Sequence, residues 1–485
     1  MKPHAKAIEI VTVGLGQGGG NIAAELYRRG YPAVVLNTAT SDLTSLVKGP
    51  SSIPAEHCYY IGVEGYDGAG GDAGYGRECI RRYAAAIKRR VEALTQNADA
   101  LLICAGLGGG TGSAVAELLS TLEELDVPTL VLATLPTEHE SAIAKVNAVR
   151  ALNETVAHHA LGLLLIDNAG LARTHGGVSS DRYHAEVNRL IVEPLDALNR
   201  LNSREGLTAI RSFDGEDFRR LLLSGGVVSF SIARLQRLSA EALLDAVTQG
   251  LLRSEMHPNG YHLENIAYLG VVIEAAESVL ANAPFAMFEW LSEQIKAETK
   301  GAAVYFGVYK SSMKDAGTTT VRVVASSQSI PDGVQTVVEQ ATREGSRLQD
   351  KLERSVACLE LGELAALDIT RPHGRRRGTS IHRPIAAKSP QTSVPETVRP
   401  GWPVDRDTYE QLAREFKATS SDAVRRSVQE RLEHDQQSHN PLVRYYAVST
   451  MSKLDPSLFA SALRLATHDK DATIRTVALE ALQHA

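Results

Sequence analysis

Short runs that are apolar on both faces alternate with amphipathic stretches through the first third of the chain, and this alternation constrains the fold most. The apolar runs are Ile8 to Val13, Ala33 to Leu36, Ala100 to Cys104, Thr129 to Thr134 and Leu163 to Ile166. Such runs suit strands that helices cover on both faces. The stretches between them are Asn21 to Arg29, Ser113 to Leu125 and Ser141 to Val156, long enough for crossover helices. The pattern predicts a doubly wound α/β domain with a parallel sheet.

Length and charge narrow the class of protein further. The chain has 485 residues, more than one packed domain normally takes. Its formal net charge of -6 argues against a nucleic-acid protein that binds by neutralising phosphates. Its four cysteines lack the paired spacing of a zinc site and are too few for a disulfide scaffold. No apolar run approaches the roughly 18–20 residues that span a bilayer. We expect a soluble protein of the reducing cytoplasm.

The remaining sequence suggests further domains. Residues 1–180 hold the α/β pattern, and apolar residues at helical spacing predict a long central helix within 181–210, kinked at Pro194. Residues 211–330 mix strands and helices as a smaller α+β domain does. Residues 331–370 are predicted to form one more helix.

The last part of the chain has two segments of different composition. Residues 371–404 form a basic linker of net charge about +6, which predicts a disordered spacer. Its charge leaves contact with an acidic protein, a nucleic acid or a membrane surface open, whereas nucleic-acid binding elsewhere is not expected. Residues 405–485 are predicted to be an α-helical module, because Val443, Arg444, Ala447 and Met451 recur 31 residues later as Ile474, Arg475, Ala478 and Leu482. The repeat resembles HEAT units, which bind protein partners.

A glycine-rich segment, Gly14 to Gly20, follows the first strand and leads into a helix. Bare backbone amides at a helix N-terminus bind phosphate, so the candidates here are Gly16, Gln17, Gly18, Gly19 and Asn21. The segment also satisfies G-x-G-x-x-G, which would predict a dinucleotide site. That site needs an acid at the end of the second strand, where this chain has Asn37, Thr38 and Ala39.

A second glycine loop follows the strand that ends at Ala105, and it also precedes a helix. Its candidate phosphate-binding residues are Gly108, Gly109, Gly110, Thr111 and Gly112. A P-loop would have a lysine after the last glycine, but Ser113 stands there. The charge of a triphosphate must then be met by backbone amides, helix dipoles and a divalent cation, which predicts a requirement for Mg²⁺. The sequence leaves the residues that hold this metal open.

The second loop resembles the signature of the tubulin/FtsZ family, G-G-G-T-G-[ST]-G, with Ala114 in place of the last glycine. Further similar features are Asn37-Thr38, a third loop, Asp67 to Asp72, that contains Gly70 and Gly71, and the loop Pro136 to Glu140. The resemblance covers about residues 7–330. It implies a domain that binds GTP or GDP, a central helix, an activation domain, and subunits that stack head to tail so that each completes its neighbour's active site.

The resemblance also assigns roles to single residues. It implies that Pro136 and Glu140 lie at the ribose, with Asn168 and Asn188 facing the guanine base. Tyr183 or His184 could stack on the base, although a core-packed ring is an equal alternative. Two departures from the family pattern are Ala39, where the family has an acid, and Ile143, where it has an arginine. These leave the affinity for nucleotide open.

Asp214 and Asp217 carry the strongest catalytic signal. Their segment, Ser212 to Arg219, is similar to the family's synergy loop, in which paired acids reach the next subunit's γ-phosphate and orient the attacking water. Positioning and charge compensation dominate phosphoryl transfer, so a docked neighbour can complete such a site. The alternative is that Asp214 caps a helix near Gly215, whose dipole favours acids in its first turn.

Three functions follow from these patterns. The first is a GTPase that assembles into filaments through its own subunits and is activated by that assembly. The second is a GTP-binding scaffold that does not polymerise or hydrolyses slowly, and recruits a partner through residues 405–485. The third, a dinucleotide-dependent oxidoreductase, leaves the second glycine loop and the paired aspartates unexplained.

Overall fold

The computed structural model describes residues 6–48, 52–63, 67–158, 162–312, 318–353, 406–419, 421–437, 441–469 and 472–483. The strands are β1 (Ile10–Leu15), β2 (Ala33–Asn37), β3 (Cys58–Tyr60), β4 (Ala100–Gly106), β5 (Thr129–Leu135), β6 (Gly162–Asp167), β7 (Leu207–Arg211), β8 (Val227–Leu235), β9 (Ile266–Ala275), β10 (Ala303–Ser311) and β11 (Thr319–Ser327). The first helices are α1 (Gly16–Arg28), α2 (Thr40–Lys48), α3 (Ala73–Thr95), α4 (Val115–Leu122), α5 (Ala142–Ala157), α6 (Asn168–His175) and α7 (Ser180–Asn199). The later helices are α8 (Gly215–Leu222), α9 (Ala240–Leu252), α10 (Glu277–Leu280), α11 (Phe285–Glu298), α12 (Gly333–Glu353), α13 (Arg406–Ala418), α14 (Asp422–Gln436), α15 (Pro441–Leu454), α16 (Ala460–Ala466) and α17 (Ala472–Gln483).

Six parallel strands form the N-terminal part of the sheet, in the order β3-β2-β1-β4-β5-β6. The predicted doubly wound α/β domain is therefore confirmed. Strands β1 and β4 are neighbours, with Leu15 opposite Ala105. Because both glycine loops follow the carboxyl ends of these adjacent strands, the loops meet at one edge of the sheet.

The second group of strands continues the same sheet instead of forming a separate one. In the described part of the chain the sheet has 11 strands, and β6 pairs with β8 through Leu163 and Val227. Strand β11 pairs antiparallel with β8 on one side and with β9 on the other. Strand β10 runs parallel to β9, and β7 lies at the edge of the sheet beside β10. The mixture of strands and helices predicted for 211–330 is present, with β9, β10 and β11 among its strands, whereas the sequence analysis placed no strand at β3, β7 or β8.

The central helix α7 links the two halves through apolar packing. Its residues Val187, Ile191, Leu195 and Leu198 are buried in a cluster that contains Ile22 of α1 and Phe213, next to α8. The helix continues through Pro194, which is part of α7. Helix α7 ends at Asn199, so it covers only the first part of the segment 181–210 predicted for the central helix. The predicted kink stays a prediction.

Helix α12 packs on α5, and it covers the first part of the helix predicted over 331–370. The rest of that segment and the basic linker, 371–404, lie outside the described residues. Within the described ranges, helices α13–α17 share one apolar cluster that includes Ala447, Met451, Ile474 and Ala478 from the repeated pattern. The HEAT-like character of this module stays a prediction. None of the helices in the described ranges has the length and apolar character needed to cross a membrane.

Candidate functional site

A cavity of about 390 Å³ lies where the glycine loops meet, which is within the range of ligand sites in proteins. Thirteen of the predicted cofactor-binding residues line it: Gly16, Gln17, Gly18, Asn37, Gly70, Gly108, Gly109, Gly110, Thr111, Gly112, Pro136, Glu140 and Asn168. Four other predicted cofactor-binding residues are not part of its lining: Gly19, Asn21, Gly71 and Asn188. The structure thus brings together segments that lie more than 100 residues apart in the chain.

The glycines of the first loop are needed for different structural reasons. Helix α1 begins at Gly16, whose φ of +71° is left-handed backbone that side chains rarely adopt. A Cβ atom on Gly19 would lie 1.9 Å from the carbonyl oxygen of Cys104, so this glycine lets α1 lie directly on β4. A Cβ on Gly18 would have no atom nearer than 3.7 Å, because Gly18 faces the cavity. Gly19 therefore shapes the site from outside it.

The second loop is held closely by its surroundings. A Cβ on Gly112 would lie 2.2 Å from the carbonyl oxygen of Gly106, and one on Gly110 would lie 2.7 Å from Cβ of Ala69. The Oγ1 atoms of Thr111 and Thr38 are 2.7 Å apart. The loop from Gly106 to Gly112 thus fits against both the end of β2 and the third loop.

The end of β2 contributes residues that the sequence analysis did not select. Thr38, Ala39 and Asp42 line the cavity. The side-chain amide of Asn37 donates through its nitrogen to the Asp42 carboxylate at 3.1 Å. The oxygen of the same side chain accepts from the backbone amide of Ala39 at 3.1 Å. Asp42 therefore brings a carboxylate to the site although Ala39 carries none. A signal for it was available, because Asp42 lies in the first turn of the helix that follows the Asn37-Thr38 pair.

The third loop is pinned to the other two. Thr40 donates to the carboxylate of Asp67 through its backbone amide, and Gly68 donates to the carbonyl oxygen of Thr38 at 2.9 Å. Asp72 ends the loop as the N-cap of α3, accepting from the amides of Gly74 and Tyr75. These contacts keep Gly68, Ala69 and Gly70 at the wall of the cavity.

The loop from Pro136 to Glu140 closes another side. The Glu140 carboxylate accepts from the amide of Thr137 at 2.8 Å, and Ser141 caps α5 by accepting from the amide of Ala144. The carboxylate of Glu138 pairs with Arg173 of α6 at 3.1 Å. Ile143, at the place of the family arginine, is 48% exposed. No cation therefore extends from that position toward the cavity.

The predicted base-contacting residues divide in two. Asn168 lines the cavity at the start of α6, where Asp167 caps the helix by accepting from the amide of Ala169. Asn188 is half-buried on α7. Tyr183 packs against the apolar cluster beneath α7, and burial raises the pKa of its phenol, so the core-packed alternative describes this ring. His184 is exposed, with its ring edge-on to that of Tyr183.

Asp214 and Asp217 form a capping box at the start of α8. The Asp214 carboxylate accepts from the amides of Glu216 and Asp217 at 2.9 Å, and the Asp217 carboxylate accepts from the amide of Asp214 at 3.1 Å. Asp214 is exposed and Asp217 half-buried, and neither lines the cavity of its own chain. The helix-capping alternative thus describes their geometry in a single chain. A role toward a neighbouring subunit stays a prediction.

The electrostatics of the cavity rest on backbone dipoles. None of the described residues that line it is lysine or arginine, while Asp42 and Glu140 contribute carboxylates. The N-terminus of α1 and the glycine-loop amides supply the positive potential. Among the described residues, no cluster of three or more His, Cys, Asp or Glu could hold a metal by itself. The Asp42 carboxylate is a hard oxygen donor, which suits Mg²⁺ shared with phosphate oxygens.

Known proteins resemble this chain in sequence and in fold. Residues 9–176 match the model of the Tubulin/FtsZ family, GTPase domain, which confirms the resemblance for this segment. The tubulin-like protein CetZ2 of Haloferax volcanii is 32% identical over 246 residues, covering 48% of this chain and 64% of CetZ2. The tubulin-like protein TubZ of Bacillus cereus is 28% identical over 257 residues, covering 49% of this chain and 58% of TubZ.

A solved structure is similar over a larger part of the chain. A GTPγS-bound protofilament of Haloferax volcanii CetZ2 matches with a TM-score of 0.56 and 24% identity, covering 70% of this chain and 100% of that chain. This similarity establishes a tubulin/FtsZ-like fold for the matched part. In sequence, the chain spans about three fifths of the length of the two curated relatives named above.

Proposed function

We propose that this protein binds and hydrolyses GTP and assembles head to tail into filaments. The observation that carries the proposal is the cavity itself, in which two glycine loops, the end of β2 and the 136–140 loop converge at one edge of a parallel sheet. This edge is where open α/β sheets bind nucleotides. The match of residues 9–176 to a GTPase domain supports the same nucleotide.

The chemistry of binding follows from the lining. The amides of Gly16 to Gly18 and of Gly108 to Gly112 hold the phosphates. Glu140 accepts hydrogen bonds from the ribose hydroxyls. Asn168 pairs with the edge of the guanine base, and Asn188 joins it once a base is bound. Mg²⁺ would supply charge compensation for the phosphates in a cavity without lysine or arginine in its described lining, and the carboxylate of Asp42, which lines this cavity, would contact the ion.

Hydrolysis is completed by a second copy of the chain. Asp214 and Asp217 lie outside the cavity of their own subunit, at an exposed helix start, so their carboxylates can act only where another subunit brings its nucleotide to them. There they orient the attacking water beside the γ-phosphate. The protofilament form of the CetZ2 structure supports this stacking. The cellular setting that fits is the cytoplasm.

One observation favours the second candidate, a GTP-binding scaffold that turns over slowly and recruits a partner through residues 405–485. Both carboxylates are already engaged by backbone amides in the capping box. Each retains lone pairs for a water molecule, but a neighbour must approach without displacing the cap. In the scaffold, α8 is only capped, and Asp214 and Asp217 do no chemistry.

Subunit mixing separates these possibilities. We would titrate the full chain with magnesium-GTP, ATP and NAD, then measure phosphate release as Asp214→Asn/Asp217→Asn subunits are mixed with wild-type subunits. We expect GTP to bind tightly and NAD not at all. The double variant should bind GTP normally and lower the turnover of wild-type subunits as its share rises. Negligible turnover of the wild type with normal GTP binding would support the scaffold, and preference for NAD would overturn both.

A further inference from the structure

Lys145 is a buried cation that does not line the candidate nucleotide cavity. It lies on α5 with 2% of its side chain exposed. Its Nζ donates at 2.7 Å to the carbonyl oxygen of Glu138 and at 2.8 Å to each carboxylate oxygen of Glu344. An ammonium group carries three protons, so every one has an acceptor. Such a complete set of partners distinguishes this cation from an exposed ion pair.

These acceptors connect two separate parts of the molecule. Glu138 belongs to the 136–140 loop, whose Pro136 and Glu140 line the cavity. Glu344 lies on α12, more than 190 residues further along the chain. Lys145 therefore stands between the wall of the cavity and the helix that precedes the C-terminal part of the chain.

Helix α5 has a second set of contacts with the cavity walls. The side-chain amide of Asn147, two residues after Lys145, donates to the carbonyl oxygens of Gly71 at 2.8 Å and Gly108 at 3.3 Å. With the Lys145 bond to Glu138, α5 holds the backbone of three loops around the site. A shift of this one helix would move all three.

Helix α12 packs against α5 beside Lys145. A Cβ on Gly345 would lie 2.9 Å from Cγ2 of Val146, so the two helices approach closely at this glycine. Val334 of α12 is buried in the main apolar cluster, and Val337 packs against it. The carboxylate of Glu344 reaches the Lys145 ammonium because α12 lies in this position.

We propose that Lys145 is a positioning residue for the 136–140 loop, and that Glu344 makes the position of this loop depend on α12 being packed on α5. The proposal rests on the nucleotide binding proposed above and adds a link from the cavity to α12. Without Lys145 the 136–140 loop loses the charged donor that holds the carbonyl oxygen of Glu138. The binding of nucleotide must then include the free-energy cost of ordering Glu140 in the same loop. Linkage is reciprocal, so bound nucleotide must also favour the packed position of α12.

Three variants of the full chain separate this role from a simple effect on folding. Lys145→Met leaves Glu344, whose side chain is 31% exposed and can hydrate. Glu344→Gln instead leaves a buried cation without its counter-ion, which destabilises more. The double variant Lys145→Met/Glu344→Gln removes both charges and keeps the apolar packing of α12. Glu339→Gln, an exposed acid on the same helix, is the matched control.

The experiment is a titration of each variant with magnesium-GTP and with 2′,3′-dideoxy-GTP, which lacks the ribose hydroxyls that Glu140 would accept from. We expect Lys145→Met and the double variant to bind GTP about tenfold more weakly than wild type, within the usual range of coupling between sites. Their affinity for the dideoxy nucleotide should match that of wild type, and the control should bind both normally.

Either of two results would overturn the proposal. One is wild-type GTP affinity in the double variant, which would mean that the pair acts only on folding. The other is an equal loss for GTP and the dideoxy nucleotide in Lys145→Met. Failure of the wild type to bind GTP would instead count against the proposed function.

Hydrogen exchange tests the part of the proposal that concerns Glu344. GTP should slow exchange of the α12 backbone amides in the wild type and in Glu339→Gln, and should slow it much less in Lys145→Met and in Glu344→Gln. Unchanged exchange of α12 in a wild type that binds GTP would refute the link between the cavity and this helix.

Discussion

Replacing Asp214 by asparagine and by alanine separates the two roles that this side chain can have. Asparagine caps a helix about as well as aspartate, whereas alanine removes the acceptor for the amides of Glu216 and Asp217. Both substitutions remove the carboxylate. A structural role therefore predicts a loss of turnover in the alanine variant alone, and a chemical role predicts a loss of turnover in both.

The expected magnitudes follow from the capping box. Loss of an N-cap costs about 1 kcal/mol of unfolding free energy, within a range of about 0.5–2 kcal/mol. Loss of the charge at the N-terminus of α8 costs about 0.3–1 kcal/mol more, and both variants share this term. Loss of a group that positions or activates water typically lowers turnover about 10²–10⁴-fold. We thus expect Asp214→Asn to remain nearly as stable as wild type while its turnover falls by about two orders of magnitude or more.

The assay combines thermal unfolding with phosphate release from magnesium-GTP at a fixed, high protein concentration. Glu216→Gln is the matched control, because Glu216 is an exposed acid in the same turn but not a member of the capping box. Asp217→Ala should likewise abolish hydrolysis and leave GTP binding nearly intact. Turnover that is normal in Asp214→Asn and lost only in Asp214→Ala would refute the chemical role and leave the cap as the explanation.

Three further predictions concern the site and its scaffold. Gly19→Ala should lower the unfolding free energy by about 1–3 kcal/mol, because the added Cβ would meet the Cys104 carbonyl oxygen. Gly18→Ala should unfold normally and bind GTP less tightly, and equal stability of the two variants in denaturant titrations would contradict this packing. Asn147→Ala should weaken GTP binding by loosening the Gly71 and Gly108 loops, and calorimetry that finds wild-type affinity would show that these bonds do not order the site. Burial lowers the pKa of His257, against smaller opposing effects of the carbonyl oxygens of Pro258 and Gly250 and of Asp167, so its contribution to stability is present above the unfolded pKa of 6.5 and is lost as pH falls. His257→Gln should therefore reduce the slope of unfolding free energy between pH 6.5 and 5, and an unchanged slope would refute that role.

The fold near the site followed from local sequence. Runs such as Thr129 to Thr134 are apolar on both faces because helices cover the parallel sheet on both sides, so periodicity alone predicted them. The edge strand β3 has only three residues, and four of the five residues of β7 are exposed. Neither has the apolar pattern that identifies a strand. The continuous sheet depends on the Leu163–Val227 pairing, which no local pattern encodes.

The candidate site was accessible from sequence for similar reasons. Glycine loops at strand ends are local features, so residues such as Gly16 and Gly110 could be selected before their positions were known. Whether a glycine faces the cavity or a packed backbone, as Gly18 and Gly19 do, depends on where α1 meets β4. The contacts of Lys145 with Glu138 and Glu344 depend on the packing of α12 against α5. Contacts of this range do not appear in a single sequence.

The most direct test of the proposed function is phosphate release from magnesium-GTP across a series of protein concentrations, with light scattering recorded on the same samples. The proposal predicts that turnover per subunit of the wild type rises steeply above a threshold concentration, together with light scattering. In Asp214→Asn the scattering should still rise above the same threshold, while the turnover per subunit should not rise. Negligible turnover without scattering at every concentration would contradict a GTPase that is activated by its own assembly.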